Sequence, residues 1–395
     1  MYSGRLQEKN GVFQMVFYCK DKDNKKIEKW KSTKLPVRGN RRKAEQLLAE
    51  YLEKLNKNVD IFNENKNNSE DDVLFGDYMI DWVETIKNTI EPTTYAGYIR
   101  TINGTIAPYF NNKGIRLKNI NGRIIDEFYN EMLKKVSANT VIHFHAYIRK
   151  ALQDAFKNDL IPCNYADKAH RPKKTQYIGN YYNSDELLEL FDFVKGKRIE
   201  FAVLMAGYYG LRRGEILGLK WSNVDFTYNT ITIRHTISEC SINGKEYIYA
   251  KDRAKTKKSI RTLPIIPPVK ELLNKMKERN EFYKEQLGNR YNTENDDYIY
   301  KDEYGRIVRP DFVSQTFNNE LKKHPTLPHI RFHDLRHSCA ALLRHEGVPM
   351  EDIQKWLGHS QISTTESIYA HFENEMHQKS AEKLYRALSV NDSKK

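Results

Sequence analysis

The sequence is poor in cysteine, and its cysteines are not placed to form disulfides or a zinc site. Cys19, Cys163, Cys240 and Cys339 are scattered through 395 residues, and no pair has the Cys-X-X-Cys spacing. Isolated thiols of this kind are typical of a reducing compartment. The pattern therefore excludes a disulfide-stabilised secreted domain and a zinc ribbon, and it predicts an intracellular chain.

Long apolar runs are also absent from the sequence. No stretch approaches the ~20 apolar residues that a helix needs to cross a bilayer, and the first residues lack the apolar segment of a secretory signal. We therefore expect a cytoplasmic protein. At 395 residues the chain is too long for one ordinary core, so two or three domains are expected.

Positive charge, by contrast, is in excess. Lys and Arg number 65 against 52 Asp and Glu, which gives a net charge of +13. Residues 1–57 hold fifteen basic and seven acidic side chains, so eight positive charges of the surplus lie there. The alternative is a solvated basic face, but the charge coincides with a segment that can fold. We therefore expect a polyanionic partner, most simply nucleic acid.

Periodicity in the first part of the chain predicts a small sheet with one helix. Residues 11–19 and 26–33 have the alternation of strands, and 41–55 has the apolar spacing of a helix. The basic residues of this sheet could place a strand ribbon in a DNA groove. Polar, Asn-rich residues 57–72 indicate a linker.

The remainder is predicted as a helical region at 73–165 and a mixed region at 176–390. The stretch 162–176, which carries Pro and Lys, indicates a linker and a basic strap that could follow phosphates. The elements expected from periodicity are helices near 74–86, 141–156, 185–194, 200–209 and 269–286, strands at 229–236, 246–250 and 260–266, and a mainly helical end to about 388.

Six side chains in the second half of the chain have the chemistry of a phosphodiester site. They are Arg212 in Gly-Leu-Arg-Arg-Gly-Glu-Ile (210–216), Lys255 in Ala-Lys-Thr-Lys-Lys-Ser-Ile-Arg-Thr-Leu-Pro (254–264), His333 and Arg336 in His-Asp-Leu-Arg, His359 in Leu-Gly-His-Ser, and Tyr369 ten residues after that histidine. The basic side chains can bind a phosphate and stabilise the negative charge that develops on it. A tyrosine beside them is a nucleophile that can form a covalent phosphoryl-enzyme.

Each of these signals has an ordinary structural alternative. Arg212 could be an arginine on a helix surface or one paired with Glu215, and Arg213 could be the phosphate ligand in its place. Tyr369 is one of 25 tyrosines and could be a core aromatic. His359 could cap a turn.

Two alternatives concern the neighbours of the candidates. His333 and His337 have the spacing of a zinc pair, but the metalloprotease motif needs Glu where this chain has Asp334. Lys255 stands close to Lys257 and Lys258, and the choice among the three lysines stays open.

The order and spacing of the six residues resemble the active site of tyrosine recombinases, the phage integrase family. By motif the resemblance spans about 182–372, and the helical region looks like that family's core-binding domain. The basic N-terminal segment is similar to arm-binding domains of integrases from phages and integrative conjugative elements. The resemblance implies a multi-domain, mainly α protein with small β-sheets. Its domains would be an arm-type DNA-binding domain at 1–57, a helical core-binding domain at 73–165 and a mixed α+β catalytic domain with a C-terminal helix at 176–390.

The resemblance also implies a mechanism. Tyr369 would attack the scissile phosphodiester, forming a 3′-phosphotyrosyl bond and releasing a 5′-hydroxyl. Arg212 and Arg336 would bind the phosphate, His333 would accept a proton, Lys255 would protonate the leaving oxygen, and His359 would donate a hydrogen bond to the phosphate. This chemistry needs no metal, cofactor or ATP, and the sequence shows no carboxylate cluster of the kind that two-metal nucleases use.

The implied function is site-specific integration and excision of a mobile element in a bacterial cell, in association with the nucleoid. The implied partners are double-stranded DNA at core and arm sites, three further copies of the chain in a tetramer, and accessory excision and host bending factors. Met376, Ser380, Leu384 and Leu388 recur every four residues and predict a helix that docks on a neighbouring subunit or on its own domain. The alternatives are a dimer-resolving recombinase with the same chemistry and a non-catalytic DNA-binding regulator.

Overall fold

The structure, a computed structural model, describes residues 3–9, 11–20, 26–64, 73–175, 179–252 and 260–358. Three of the six predicted site residues, Lys255, His359 and Tyr369, lie outside these ranges, as does the predicted C-terminal helix. The described residues form two compact units, one made of those up to 74 together with 116–118 and the other of those at 75–115 and from 119 to 358.

The N-terminal unit contains an antiparallel sheet and one helix. Its strands are β1 (Ser3–Lys9), β2 (Val12–Lys20) and β3 (Lys26–Pro36) in that order, followed by α1 (Arg41–Glu64). Apolar Phe13, Met15 and Phe17 alternate along β2 and are buried. The helix continues nine residues beyond the predicted end at 55, because the sequence up to Glu64 contains no Pro or Gly to stop it.

The helical part of the second unit packs around aromatic side chains. Its helices are α2 (Phe75–Thr85), α3 (Pro92–Thr101), α4 (Ala107–Asn112), α5 (Gly122–Leu133) and α6 (Ala138–Lys157), with a π-helical turn at Ile102–Ile106. The rings of Phe75, Phe110 and Phe128 are wholly buried. The ring centroid of Phe110 lies 4.9 Å from that of Phe75 and 5.1 Å from that of Phe128. Asn121 and Ser137 cap α5 and α6 by accepting backbone N–H bonds.

The rest of the second unit combines helices with two small sheets. Its elements are α7 (Ser184–Val194), α8 (Glu200–Tyr209), α9 (Arg213–Leu217), β4 (Val224–Asp225), β5 (Thr230–Ile233), β6 (His235–Ile242), β7 (Lys245–Asp252), β8 (Arg261–Pro264), α10 (Pro267–Leu287), α11 (Pro310–Leu321), α12 (Asp334–His345) and α13 (Met350–Leu357). β4, β5 and β8 form one antiparallel sheet, and β6 and β7 form a separate hairpin. α8 is apolar nearly all round and lies in the main core.

One strand prediction was wrong in its extent. The run 229–236 was predicted as a single strand, but it divides at Arg234 into β5, which pairs with β8, and the start of β6, which pairs with β7. The sequence alternates across the break, so the local pattern gives no sign that the two halves join different sheets. In the described part of the chain no helix is both long enough and apolar enough to span a membrane.

Candidate active site

Arg212 stands directly before α9, at a corner made by Gly210. Gly210 ends α8 with a left-handed backbone (φ 61°), which L side chains rarely adopt. A Cβ at this position would lie 2.3 Å from Leu357 Cδ2, so only glycine fits. α9 in turn lies close to β6, since a Cβ on Gly214 would meet the Ile237 carbonyl oxygen at 2.5 Å. The backbone around Arg212 is therefore fixed on both sides.

The Arg212 side chain is held by a buried carboxylate. Glu215 is wholly buried, and it accepts hydrogen bonds from Arg212 N and Arg212 Nη1, both at 2.9 Å. Glu215 Oε2 also accepts a hydrogen bond from Arg261 Nη2 at 3.0 Å. The predicted alternative, a pair with Glu215, is thus present. It is compatible with phosphate binding, because the Arg212 side chain remains 33% exposed.

Arg213, the alternative phosphate ligand, is directed to a different element. Its Nη1 donates to Ser314 Oγ at 2.8 Å and lies 3.3 Å from Asp311 Oδ1, both on α11. The two adjacent arginines therefore have separate partners, Glu215 for Arg212 and α11 for Arg213.

Arg336 is buried at the centre of the site. It is 2% exposed, and its guanidinium donates to the Gly210 carbonyl oxygen and, at 2.7 Å, to the Leu357 carbonyl oxygen. It thereby ties the end of α8 to the end of α13. Burial, followed by repulsion from Arg212, lowers the pKa of Arg336 to about 9, against a weaker opposing effect of Glu215. The described side chains therefore place Arg212, Arg261 and Arg336 close enough for their positive charges to repel one another, an arrangement that favours an anion.

His333 lies at the start of α12 and is neutral. Desolvation, together with smaller effects of His337, Arg336 and Arg212, lowers the pKa of His333 to about 4. The residue nevertheless keeps contact with solvent. A neutral imidazole with solvent access can accept a proton at neutral pH. Burial also lowers the pKa of the adjacent His337, whose ring centroid is 5.4 Å from that of His333.

The structure brings Arg212, His333 and Arg336 together, from sequence positions more than 120 residues apart. Of the other three predicted residues, Lys255 and His359 lie close in sequence to described parts of the chain, whereas Tyr369 lies within the undescribed range 359–395. Lys255 falls between β7 and β8, and His359 follows Gly358, the residue that ends α13 with a left-handed backbone. Arg261 lies in the same string as the lysines, and the sequence offers no signal that it reaches Glu215.

Comparison with known proteins decides the family. Residues 180–376 match the phage integrase family, and residues 74–133 match the phage integrase N-terminal SAM-like domain. The chain belongs to the phage integrase family. The predicted family and the predicted enzyme class, a DNA strand-transferring tyrosine recombinase, are confirmed.

Individual integrases show the same relationship. A tyrosine recombinase XerC-like protein of Caldanaerobacter subterraneus subsp. tengcongensis is 28% identical over 326 residues, covering 76% of this chain and 80% of that protein. The ICEBs1 integrase of Bacillus subtilis is 27% identical over 297 residues, covering 74% of this chain and 78% of that protein.

Solved structures confirm the fold class. The Tn1549 transposon integrase, in complex with a circular intermediate DNA, matches with a TM-score of 0.64 at 17% identity and covers 78% of this chain and 98% of that one. A lambda integrase dimer bound to a COC′ core site matches with a TM-score of 0.53 at 17% identity and covers 92% of this chain and 95% of that one. The described fold, helices with small sheets and an N-terminal three-stranded sheet, is that of integrases.

Proposed function

We propose that this recombinase integrates and excises a mobile element by cutting and rejoining DNA through a 3′-phosphotyrosyl bond to Tyr369. The observation that carries the proposal is the charge at the site. Three guanidinium groups, those of Arg212, Arg261 and Arg336, gather near one buried carboxylate, Glu215. Among the described residues these guanidinium groups outnumber the carboxylate beside them, and a phosphodiester would be attracted to their combined positive charge.

The described side chains support distinct roles in the reaction. Arg212 and Arg336 would bind the non-bridging oxygens and stabilise the charge that develops when the Tyr369 oxygen bonds to phosphorus. His333, being neutral, would accept the tyrosine proton. Lys255 would protonate the leaving 5′-oxygen, and His359 would donate a hydrogen bond to the phosphate. Because the covalent bond to Tyr369 retains the energy of the phosphodiester, a 5′-hydroxyl from another strand could reverse the step without ATP.

DNA is the proposed partner, and four copies of the chain would assemble on it. Among the structural matches, lambda integrase has been solved as a tetramer bound to a Holliday junction. We propose that domains at 73–165 and 176–390 hold the core site, that the C-terminal helix packs on a neighbouring subunit, and that accessory excision and host bending factors join the complex. The protein would then act on the bacterial nucleoid.

The N-terminal unit has a surface suited to arm-site DNA. α1 covers one face of the sheet, as shown by Tyr51, whose ring centroid is 5.0 Å from that of Phe17. The strand register places Arg5, Val16 and Trp30 side by side on the opposite face. On that face Lys9 Nζ lies 5.4 Å from the centroid of the exposed Trp30 ring. A basic strand ribbon with polar side chains fits the proposal that residues 1–57 bind DNA in a groove. This unit favours an integrase over a dimer-resolving recombinase.

Covalent trapping tests the proposed function. Sequencing the junctions left by excision would give the attachment site, from which a nicked suicide substrate is made. Wild-type protein should become linked to this DNA, whereas Tyr369→Phe should bind the DNA without becoming linked. Tyr228→Phe is the matched control, because Tyr228 is a 79% exposed tyrosine that is not among the candidate residues. If wild-type protein shifts the DNA but leaves no covalent product, the regulator alternative replaces the recombinase.

A further inference from the structure

Arg261, the first residue of β8, is a buried arginine that the proposed mechanism leaves without a role. Its side chain is 7% exposed, and its Nη2 donates to Glu215 Oε2 at 3.0 Å. Within the described ranges, Nε and Nη1 of Arg261 are buried without a hydrogen-bond acceptor. Buried donors are normally satisfied, and leaving them open costs stability. A purely stabilising role therefore accounts poorly for an arginine at this position.

Arg261 and Arg212 share the same carboxylate. Glu215 Oε2 accepts both Arg212 N and Arg261 Nη2, and Glu215 Oε1 accepts Arg212 Nη1. Because Glu215 is wholly buried, water does not compete for these oxygens. Both arginines therefore help to orient the carboxylate, and its orientation in turn positions the Arg212 guanidinium that it binds.

A second contact places Arg261 beside the end of α13. A Cβ on Gly358 would lie 2.7 Å from Arg261 Nη1 and 3.2 Å from Arg261 Cζ, so the guanidinium lies against this glycine. Gly358 has a left-handed backbone (φ 68°) and directly precedes His359. Arg261 thus touches both the α9 corner that presents Arg212 and the turn that leads to His359.

We propose that Arg261 is a positioning residue for DNA cleavage. Through Glu215 it holds the Arg212 guanidinium in the orientation that binds the scissile phosphate. The inference rests on the proposed function, since it takes Arg212 to be a phosphate ligand. It assigns Arg261 no contact with DNA, so its loss should affect the rate of cleavage and leave DNA affinity intact.

The first test compares arginine variants of the full-length protein on the suicide substrate. Arg261→Met should cleave about 100-fold more slowly, the scale of a ~1 Å misplacement of a catalytic group, with an unchanged dissociation constant for the DNA. Arg279→Met is the matched control. Arg279 is a partly buried arginine on α10 that donates to the Lys301 carbonyl oxygen, and its variant should cleave at the wild-type rate.

The second test asks whether Arg261 acts through Glu215. Glu215→Gln should slow cleavage by itself, and adding Arg261→Met should change that rate by no more than about threefold, because coupled residues are not additive. If the two losses multiply, Arg261 acts by another route and the proposal fails. It also fails if Arg261→Met cleaves at the wild-type rate, or if the loss lies in DNA affinity.

Melting curves accompany both tests. If Arg261→Met does not fold, Arg261→Lys tests the proposal in its place, because lysine keeps the positive charge but lacks the planar, forked set of donors. This variant should fold and cleave about tenfold more slowly, and a wild-type rate would overturn the proposal. Failure of the proposed function itself would look different, since wild-type protein would then form no covalent complex.

Discussion

Three arginines and one carboxylate share the interior of the site, and their balance determines its chemistry. Arg336 keeps its charge at neutral pH even though burial and Arg212 lower its pKa to about 9. Glu215 is engaged by Arg212 and Arg261. The remaining positive charge is preorganised before any substrate arrives, which is the most effective way to stabilise a transition state that gains negative charge.

At the residue scale, we predict that His333 is neutral down to about pH 5 in the free protein. Its pKa is lowered to about 4, whereas an unfolded histidine titrates near 6.5. Between these two values the unfolded chain binds more protons, so His333 should make the protein more stable as the pH rises through this window and add no pH dependence above it. NMR titration of the imidazoles, with His333→Gln for assignment, measures this pKa. A midpoint near 6.5 would contradict the prediction.

The sequence was sufficient for part of the site and insufficient for the rest. Arg212, His333 and Arg336 stand in short strings whose order can be recognised, and the structure brings them together. The role of Arg261 could not be predicted, because it depends on β8 approaching a residue 46 positions earlier. Several residues around Arg261 are basic, and nothing in this local sequence distinguishes an arginine that will be buried against Glu215 from one that is exposed.

At the scale of elements, predictions succeeded where the signal is local. Helix 200–209 was predicted with its exact bounds, because its apolar run ends at Gly210, a helix-terminating residue. The strand at 229–236 was predicted as one element and is two, because the first half pairs with β8, whose residues lie 28 to 34 positions further along the chain. Local alternation determines that a segment is extended but not which sheet it joins.

The corner at Gly210 gives a prediction at this scale. Gly210→Ala should destabilise the protein for two reasons: alanine is strained in the left-handed backbone, and its Cβ would clash with Leu357. Gly196→Ala is the matched control, since Gly196 has a similar backbone (φ 74°) with open space around it. The control should cost about 1 kcal/mol of unfolding free energy, and Gly210→Ala roughly 1–3 kcal/mol more.

Urea unfolding of the two glycine variants measures the difference. Gly210→Ala should also slow cleavage, because the Gly210 and Leu357 carbonyl oxygens both orient Arg336. Equal losses of stability in the two variants would show that the contact with Leu357 does not constrain the corner.

At the scale of the whole molecule, the N-terminal unit differs from the rest in two respects: it is more basic, and neither family match includes its sheet or its helix. Residues 1–57 contain eight of the surplus positive charges, and both family matches begin after residue 73. The boundary expected at 57 falls inside α1, which runs to Glu64. A truncation at 57 would therefore leave a remnant of this helix, and one after residue 72 would not.

Removing residues 1–72 should separate two kinds of DNA binding. This truncation keeps Val73 and Leu74, which pair with Leu117 and Arg116 through their backbones. Because the removed basic residues would neutralise phosphates, the truncated protein should lose arm-site binding and show a shallower dependence of DNA affinity on salt. Core-site cleavage should remain near the wild-type rate on the suicide substrate. Gel shifts over a range of salt concentrations measure the first effect, and simultaneous loss of binding and cleavage would mean that the two activities do not reside in separate units.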